Sequence, residues 1–567
     1  MANYFQEEFQ LIEDSGDESS EYDLSDTSSN NEEHNNSDVD VTSEDDGDME
    51  GANNESVLKN TILGKDKKTV WSSAPHPIQV RKFKDVEKNR SENTAVVHSA
   101  VPTHSVSSTF EFFITDQIIN KVIDATNQMG KHKFGKEWEV TDSVELKAWI
   151  GLHIRAGVNR DGFRPVRELF STKSGPPIYG ACMTRDRFMA LKKVIRFDDL
   201  DTRDVRKSEQ NEGNLAPIKE IFEMFIEACT VNYKCGEYVT IDESVLPFRG
   251  RCSFKVYMPQ KPDKYGIKIW SMADAKNSYL SNAQIYQGKS KHGPEVGQFE
   301  RVVRDLSSNI QGSGRNITMD NLFSSVKLAK ELLSQGPSMI GTIRKNKVEI
   351  PQSFQASKTR DVFSTEFGFS TDESMMICSY VPRKRRAVMM LSTRHYEREL
   401  QMEPPFKPSV ITDYNKSKSG VDTLDQLVKN YTCKRITKRW PLLIFYWMLD
   451  VASYNSSVCF MLNQPNIYQG HQKRRKFLMD LSEELVLPLI KRRSQSENFR
   501  RLHKHTITKM ELFLPETVVQ LQITKEHQKK RRGKFPREMD RKTRKSCSKC
   551  LTPICENHTF TICSDCA

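Results

Sequence analysis

The run YVTIDES (Tyr238–Ser244) alternates strand-forming residues and then delivers Asp242, and NITMDN (Asn316–Asn321) does the same with Asp320. Both read as strands running into a carboxylate. A third run, SGVDTLDQ (Ser419–Gln426), has helical character and places Asp422 and Asp425 three residues apart, on one helix face. Carboxylates gathered from two strand ends and a helix make a hard, oxygen-rich set suited to Mg²⁺ or Mn²⁺. A pair of such ions serves displacement at phosphorus, activating the attacking oxygen and stabilising the leaving one.

The charge around these runs points to a polyanion. Residues 1–58 hold 19 Asp or Glu and no Lys or Arg. The rest of the 567-residue chain therefore sets 85 basic side chains against 56 acidic ones, a net charge of +29 behind the overall +10. Such a body gains affinity for nucleic acid by releasing counterions from phosphate. The acidic N-terminus has no apolar core of a signal peptide. The longest apolar stretch, Trp440 to Leu462, is interrupted by Asp450 and several Ser and Asn, so it reads as a buried helix rather than a membrane span. Of 12 cysteines, seven are scattered from Cys182 to Cys459 and five fall in the last 21 residues, a pattern of reduced thiols plus a local metal site.

Along the chain, residues 1 to about 100 are acidic, Ser- and Asn-rich and poor in aliphatics, and are expected to be disordered. Helical periodicity begins at Thr109 and runs through four helices to Tyr233. Strand patterns then occupy Tyr238 to Asp320, an apolar helix follows directly (NLFSSVKLAKELLSQ), β patterns return over 341–410, and helices resume from Gly420. The class is mixed α/β (α+β). No Ser–His–Asp arrangement stands out, and GSGR at 312–315 lacks the Lys-Ser/Thr of a phosphate-binding P-loop.

The words VTIDESVLPFRGRCSFKVYMPQKPDKYGIKIW, TMDNLFSSVKLAKELL and YNKSKSGVDTLDQLVKNYTCKRITKRWP, with RDRFMALKKVIRFDD, LAPIKEIFEMF and GTIRKNKVEIP, together resemble the piggyBac family of transposases and their domesticated relatives. The likeness covers roughly residues 108–510 and returns in the C-terminal cysteines. It implies an RNase H-like catalytic core with a β-rich insertion, a split helical region for dimerisation and DNA binding, and a small C-terminal zinc-binding domain. The organisation expected is an acidic disordered tail over 1–105, helical regions over 106–235 and 461–524, core segments over 236–340 and 411–460, the insertion over 341–410, a basic linker over 525–545 and the zinc-binding domain over 546–567.

By the same resemblance Asp242, Asp320 and Asp422 are the catalytic, Mg²⁺- or Mn²⁺-binding aspartates. Asp425 stands either as an accompanying carboxylate or as a helix-face ion-pair partner. The implied chemistry is strand nicking, hairpin formation and strand transfer into TTAA target DNA by a nuclear homodimer acting on double-stranded transposon ends, with no membrane partner. The alternative is a domesticated nuclear DNA-binding protein on the same fold that no longer transposes. Arg344 and Lys347 stand where the family has a DNA-contacting loop. Lys261 and Lys264 precede a strand beside the first aspartate, and Arg435, Lys438 and Arg439 follow the third; as a set they read as DNA contacts.

The terminal cluster Cys547-x2-Cys550-x4-Cys555-x2-His558-x4-Cys563-x2-Cys566 has zinc-ligand spacing. It resembles the family's cross-braced zinc domain with its first ligand pair missing. That logic gives one complete site from Cys547, Cys550, Cys563 and Cys566, and half a site from Cys555 and His558. KKRR at 529–532 and RKRR at 383–386 are candidate nuclear import signals.

Overall fold

In the computed structural model, the residues described are 61–75, 96–97, 105–208, 213–259, 264–288, 293, 295–372, 375–496, 504–514, 530–531 and 542–543. They divide into two compact units, one of residues 1–163 with 190–485 and one of 164–189 with 486–567.

The larger unit is organised by a mixed sheet of 11 described strands. They are β1 (Thr61–Leu63), β2 (Val70–Ser72), β3 (Tyr238–Pro247), β4 (Val256–Tyr257), β5 (Tyr265–Asp274), β6 (Leu280–Ile285), β7 (Asn316–Met319), β8 (Ser338–Thr342), β9 (Thr365–Ser370), β10 (Met376–Arg383) and β11 (Arg386–Ser392). The spatial order is β1-β2-β9-β10-β11-β8-β7-β3-β5-β4, with β6 also on β5. β7 runs parallel to both β3 and β8, and every other pairing in this sheet is antiparallel. Strands β9–β11, within the 341–410 segment expected as an insertion, join the sheet through the β8–β11 ladder and extend it.

Two readings are corrected here. Asp242 lies within β3 rather than at its end, because β3 continues past β7 as a hairpin arm paired with β5 as far as Pro247 and Gly266. Residues 61–72 depart from the disordered tail expected over 1–105. They form the hairpin β1–β2, which adds to the sheet edge at β9. The VWS triplet buries Trp71 completely, and its indole donates to the Glu349 carbonyl at 2.8 Å. One buried tryptophan with its N–H satisfied anchors this short hairpin, which lies just past the acidic 1–58 segment. The hairpin turn is closed by Asp66, whose carboxylate accepts from Lys68 N, Thr69 N and Thr69 Oγ1 at 3.0, 2.9 and 2.6 Å.

The helices of this unit include α1 (Asp116–Phe134), α2 (Ser143–Val158), α3 (Lys219–Val231), α4 (Gln298–Ser307), α5 (Val326–Ser334), α6 (Ser409–Ser417), α7 (Gly420–Asn430), α8 (Trp440–Asn463) and the start of α9 (Lys473–Gln495). α8 carries the apolar stretch noted in the sequence and is buried on nearly every face, as an all-round hydrophobic helix in a large core must be. Among the described residues no helix is long and apolar enough to cross a membrane. Asp450 on α8 accepts from Thr432 Oγ1 at 2.6 Å and Cys433 N at 2.7 Å. Burial pushes its carboxyl up to about 7, and pushes the fully buried His153 of α2 down to about 3.

In the smaller unit, Phe170 packs between Tyr179 and Phe188 with ring centroids 5.5 and 5.4 Å away. Arg493 donates to the Gly180 and Ala181 carbonyls at the end of helix Pro177–Cys182. In the segment expected as a basic linker, Lys530–Arg531 pairs antiparallel with Lys542–Thr543. The terminal cysteine cluster lies outside the described residues. The seven cysteines from Cys182 to Cys459 form no disulfide; Cys252 is half-buried and the others are buried.

Candidate active site

Parallel pairing places the first two aspartates. Tyr238, Val239, Thr240 and Ile241 of β3 register with Asn316, Ile317, Thr318 and Met319 of β7. The next residue on each strand is Asp242 and Asp320, so the two leave this ladder side by side at its carboxyl end. In open sheets with parallel strands that end is where ligands bind. Both carboxylates are half-exposed. Asp242 Oδ1 accepts from Glu243 N at 2.7 Å. Asp320 Oδ1 accepts from Leu322 N at 2.8 Å, and its carbonyl accepts from Ser324 N and Ser324 Oγ at 3.2 and 2.8 Å.

The third aspartate arrives on a helix pair. Val410, Ile411, Tyr414 and Ser417 form the buried face of α6, and the first three join a core with Ile340, Met376, Met390 and other residues of strands β8–β11. α7 follows after a two-residue break and buries Gly420, Val421, Thr423, Leu424 and Leu427. Asp422, in its first turn, is exposed, and Asp425, one turn on, is half-buried.

Tyr414 marks where the three converge. It is 6% exposed. Burial, then the negative charges of Asp320, Asp242 and Asp422, push its phenol upward against a hydrogen bond with Thr342. Beside it, Lys418 Nζ lies 5.8 Å from the Tyr414 ring centre. Burial lowers this ammonium group while Asp422 pulls it up. Tyr414 and Lys418 belong to the quoted word YNKSKSGVDTLDQ, but periodicity alone marks them as an ordinary core residue and an ordinary cation.

The donors fit Mg²⁺ or Mn²⁺ in kind, all hard carboxylate oxygens. Among the described residues, no three His, Cys, Asp or Glu side chains close into a ready-made cation cage. Mg²⁺ is commonly held by one or two carboxylates, with water and substrate phosphate completing its shell.

The basic residues sort into two groups. Arg344 is exposed and Lys347 half-exposed in the turn after β8. The β1–β2 hairpin braces this turn: Lys65 Nζ donates to the Lys345 and Lys347 carbonyls at 2.6 and 3.4 Å, and Asp66 N donates to the Val348 carbonyl at 3.0 Å. Lys264 and Lys438 are exposed, and Lys261 lies outside the described residues. Arg435 and Arg439 depart from the expected DNA-facing role. Arg435 is 5% exposed and donates to the Asp161 carbonyl at 3.1 Å. Arg439 donates to the Lys192 carbonyl at 3.3 Å and to that of Ile195, at the end of helix Arg185–Val194. Burial lowers its guanidinium to about 10. Orphan carbonyls at a helix C-terminus draw a cation, and these two arginines answer main-chain oxygens.

The sequence reading missed one surface. Tyr257 and Tyr265, 55% and 47% exposed, stack obliquely with centroids 4.7 Å apart across the β4–β5 pair. Exposed Arg249, Arg251, Lys255 and Lys264 flank them. The signal was in FRGRCSFKVYMPQKPDKYG as cations interleaved with aromatics. It needed the hairpin to bring the two tyrosines together.

The fold is mixed α/β, with two carboxylates at the end of a parallel ladder and a third on a helix, and comparison with known proteins gives the family. A family model described as Transposase IS4 matches residues 105–457, and the chain belongs to this family, in its piggyBac-type branch. It is similar to the human PiggyBac transposable element-derived protein 3, 25% identical over 391 residues, 64% of this chain and 60% of that protein. The human PiggyBac transposable element-derived protein 2 is 23% identical over 366 residues, 61% of this chain and 60% of that protein. The chain thus spans about three-fifths of the length of these curated relatives. Among solved structures, the cryo-EM structure of the piggyBac transposase synaptic complex with hairpin DNA matches at a TM-score of 0.71 and 32% identity, covering 82% of this chain and 98% of that one.

Proposed function

We propose that this chain is a piggyBac-type DNA transposase that cuts and joins DNA at Asp242, Asp320 and Asp422, with Asp425 as the accompanying carboxylate of an RNase H-like core. The observation that carries the proposal is the convergence on Tyr414 of two strand carboxylates, side by side at the end of a parallel ladder, with a third from the first turn of α7. Bound there by the three aspartates, Mg²⁺ or Mn²⁺ would supply Lewis-acid activation of the attacking and leaving oxygens. Tyr414 stays a neutral hydroxyl among the carboxylates and keeps them apart. Lys418 offers a cation to an incoming phosphate next to Asp422. Arg344, Lys347, Lys264 and Lys438, with Lys261, contact the backbone of the duplex, and the Tyr257–Tyr265 pair offers a stacking face for unpaired bases.

On this reading a nick frees a 3′-OH, and that hydroxyl attacks the opposite strand to close a hairpin. Water reopens the hairpin, and the 3′-OH then attacks TTAA target DNA. Each step is an in-line displacement at phosphorus, so one carboxylate site serves all four. The protein works as a nuclear homodimer. Its terminal cysteines hold one zinc through Cys547, Cys550, Cys563 and Cys566, with Cys555 and His558 beside it. The test is incubation of the purified chain with Mg²⁺ and DNA carrying its flanking inverted repeats. Nicks and hairpins are expected, and each of Asp242→Ala, Asp320→Ala and Asp422→Ala removes them without loss of DNA binding. Cleavage that survives all three substitutions refutes the assignment.

The missing first ligand pair of the zinc cluster favours one second reading, a DNA-binding protein that no longer transposes. It predicts DNA binding with no nick under any metal.

A further inference from the structure

The two strands that carry Asp242 and Asp320 also carry, two residues earlier, Thr240 and Thr318, which register with each other across the parallel ladder. Side chains two apart on a strand share a face, so Thr240 lies one step behind Asp242 on the same side of β3, and Thr318 sits opposite it on β7. Both threonines are buried, at 1% and 0% exposure, and both reach one residue, Ser417, at the end of α6.

The bonding is specific. Thr240 Oγ1 donates to the Ser417 carbonyl at 2.5 Å, an oxygen in the last turn of α6 that has no partner further along its own helix. Ser417 Oγ donates back to the Asp413 carbonyl at 2.8 Å, which leaves it to accept from Thr318 Oγ1 at 2.7 Å. The Asn316 amide in turn donates to Thr318 Oγ1 at 3.3 Å. A single serine is therefore held by both aspartate-bearing strands, five residues before Asp422.

Gly420 completes the attachment. An ideal Cβ there would lie 2.5 Å from Thr240 Oγ1 and 3.2 Å from the Ala275 Cα, so the chain enters α7 in direct contact with β3. Between Ser417 and Asp422 only the two-residue turn Lys418–Ser419 lies outside helix to absorb a shift.

We infer that Thr240, Thr318 and Ser417 are positioning residues that set the spacing of Asp422 to Asp242 and Asp320, and through it the cation affinity of the site. The inference rests on the proposed role of those aspartates. None of the three hydroxyls needs to touch substrate or ion. They act by fixing α7 against the ladder, as outer hydrogen bonds fix ligands around a metal, where their loss typically lowers metal affinity about 10- to 100-fold.

The test is Mn²⁺ binding to the full chain without DNA, read as the loss of the free-ion electron paramagnetic resonance signal. It is paired with circular dichroism and thermal unfolding in metal-free buffer. Thr318→Val keeps the shape and removes the hydroxyl; it should weaken Mn²⁺ binding about tenfold while the metal-free spectrum stays that of the wild type. Thr318→Ser, which restores the hydroxyl, should restore the affinity. If Thr318→Val does not fold, Thr240→Val against Thr240→Ser makes the same comparison from the other strand. Equal Mn²⁺ affinity in folded Thr→Val and Thr→Ser variants, with tight binding in the wild type, overturns the inference. A wild-type chain whose Mn²⁺ binding is indifferent to Asp242→Ala and Asp320→Ala overturns instead the carboxylate site on which it rests.

Discussion

Replacing Gly420 by alanine should move the third aspartate. The added methyl would sit 2.5 Å from Thr240 Oγ1, 3.1 Å from Thr240 Cβ and 3.2 Å from the Ala275 Cα. Ala275 contributes backbone and cannot yield, and Thr240 can yield only by leaving the Ser417 carbonyl. Overpacking of this kind costs about 1–3 kcal/mol, and an abandoned buried carbonyl about 1–3 kcal/mol. The better helix propensity of alanine returns at most about 1 kcal/mol. A net local loss of about 2 kcal/mol corresponds to roughly 30-fold faster hydrogen exchange of the α7 amides, at about 1.4 kcal/mol per decade. If relief comes from a shift of about 1 Å at the start of α7, strand cleavage falls about 100-fold, the scale associated with such a misplacement. Hydrogen–deuterium exchange by mass spectrometry and a cleavage time course measure the two effects. Adding Thr240→Ala to the Gly420→Ala variant removes the closest contact, so the double variant should lose less than the two single losses combined. Wild-type exchange in α7 together with cleavage within twofold of normal would refute the reasoning.

Four other outcomes follow from groups already described. His153, lowered to about 3, makes the folded state refuse a proton that the unfolded chain takes up below pH 6.5, so acidification from 6.5 destabilises the fold. Asp450, raised to about 7, does the opposite, since the folded state takes the extra proton between about pH 4 and 7 and acidification stabilises. The two slopes oppose each other, and Asp450→Asn should unmask a loss of up to about 1.4 kcal/mol per pH unit from 6.5 to 4.5 relative to wild type; parallel unfolding profiles would contradict it. Trp71→Phe keeps the ring and strands the Glu349 carbonyl. It should loosen the 344–349 turn by about 1 kcal/mol, read as faster limited proteolysis there. Lys438→Ala should weaken DNA binding and flatten its salt dependence by about one unit of slope with an unchanged unfolding temperature. Arg435→Ala should cost about 2 kcal/mol of stability, seen as a lowered unfolding temperature.

The elements around the aspartates were legible because each carboxylate sits in or beside a short run whose period declares strand or helix. Tyr414 and Ser417 were not legible. Their spacing on α6 is that of any buried helix face, and what distinguishes them lies across the sheet on Thr240, Thr318 and the three carboxylates. The KRITKRW run misled for a related reason. Arg435 and Arg439 carry the same charge whether they face phosphate or main-chain carbonyls, and only the packing around Asp161 and Ile195 shows which. The β1–β2 hairpin hid between the acidic 1–58 segment and a polar, basic stretch, where one tryptophan decides the outcome and composition averages it away.

The free thiols of the larger unit bear on how the cysteine-rich terminus can be studied. Burial holds Cys229, Cys378, Cys433 and Cys459 well above the usual thiol range, Cys235 at about 12, and Cys252 raised as well. The thiolate is the form that reacts with alkylating reagents, so the five buried thiols are protected at neutral pH, while half-buried Cys252 reacts slowly. With Cys182 also buried and Cys252 replaced by serine, maleimide added to the native chain should report chiefly on Cys547, Cys550, Cys555, Cys563 and Cys566. The number of groups it modifies, with and without a chelator, becomes a direct titration of how many of those sulfurs a zinc ion shields.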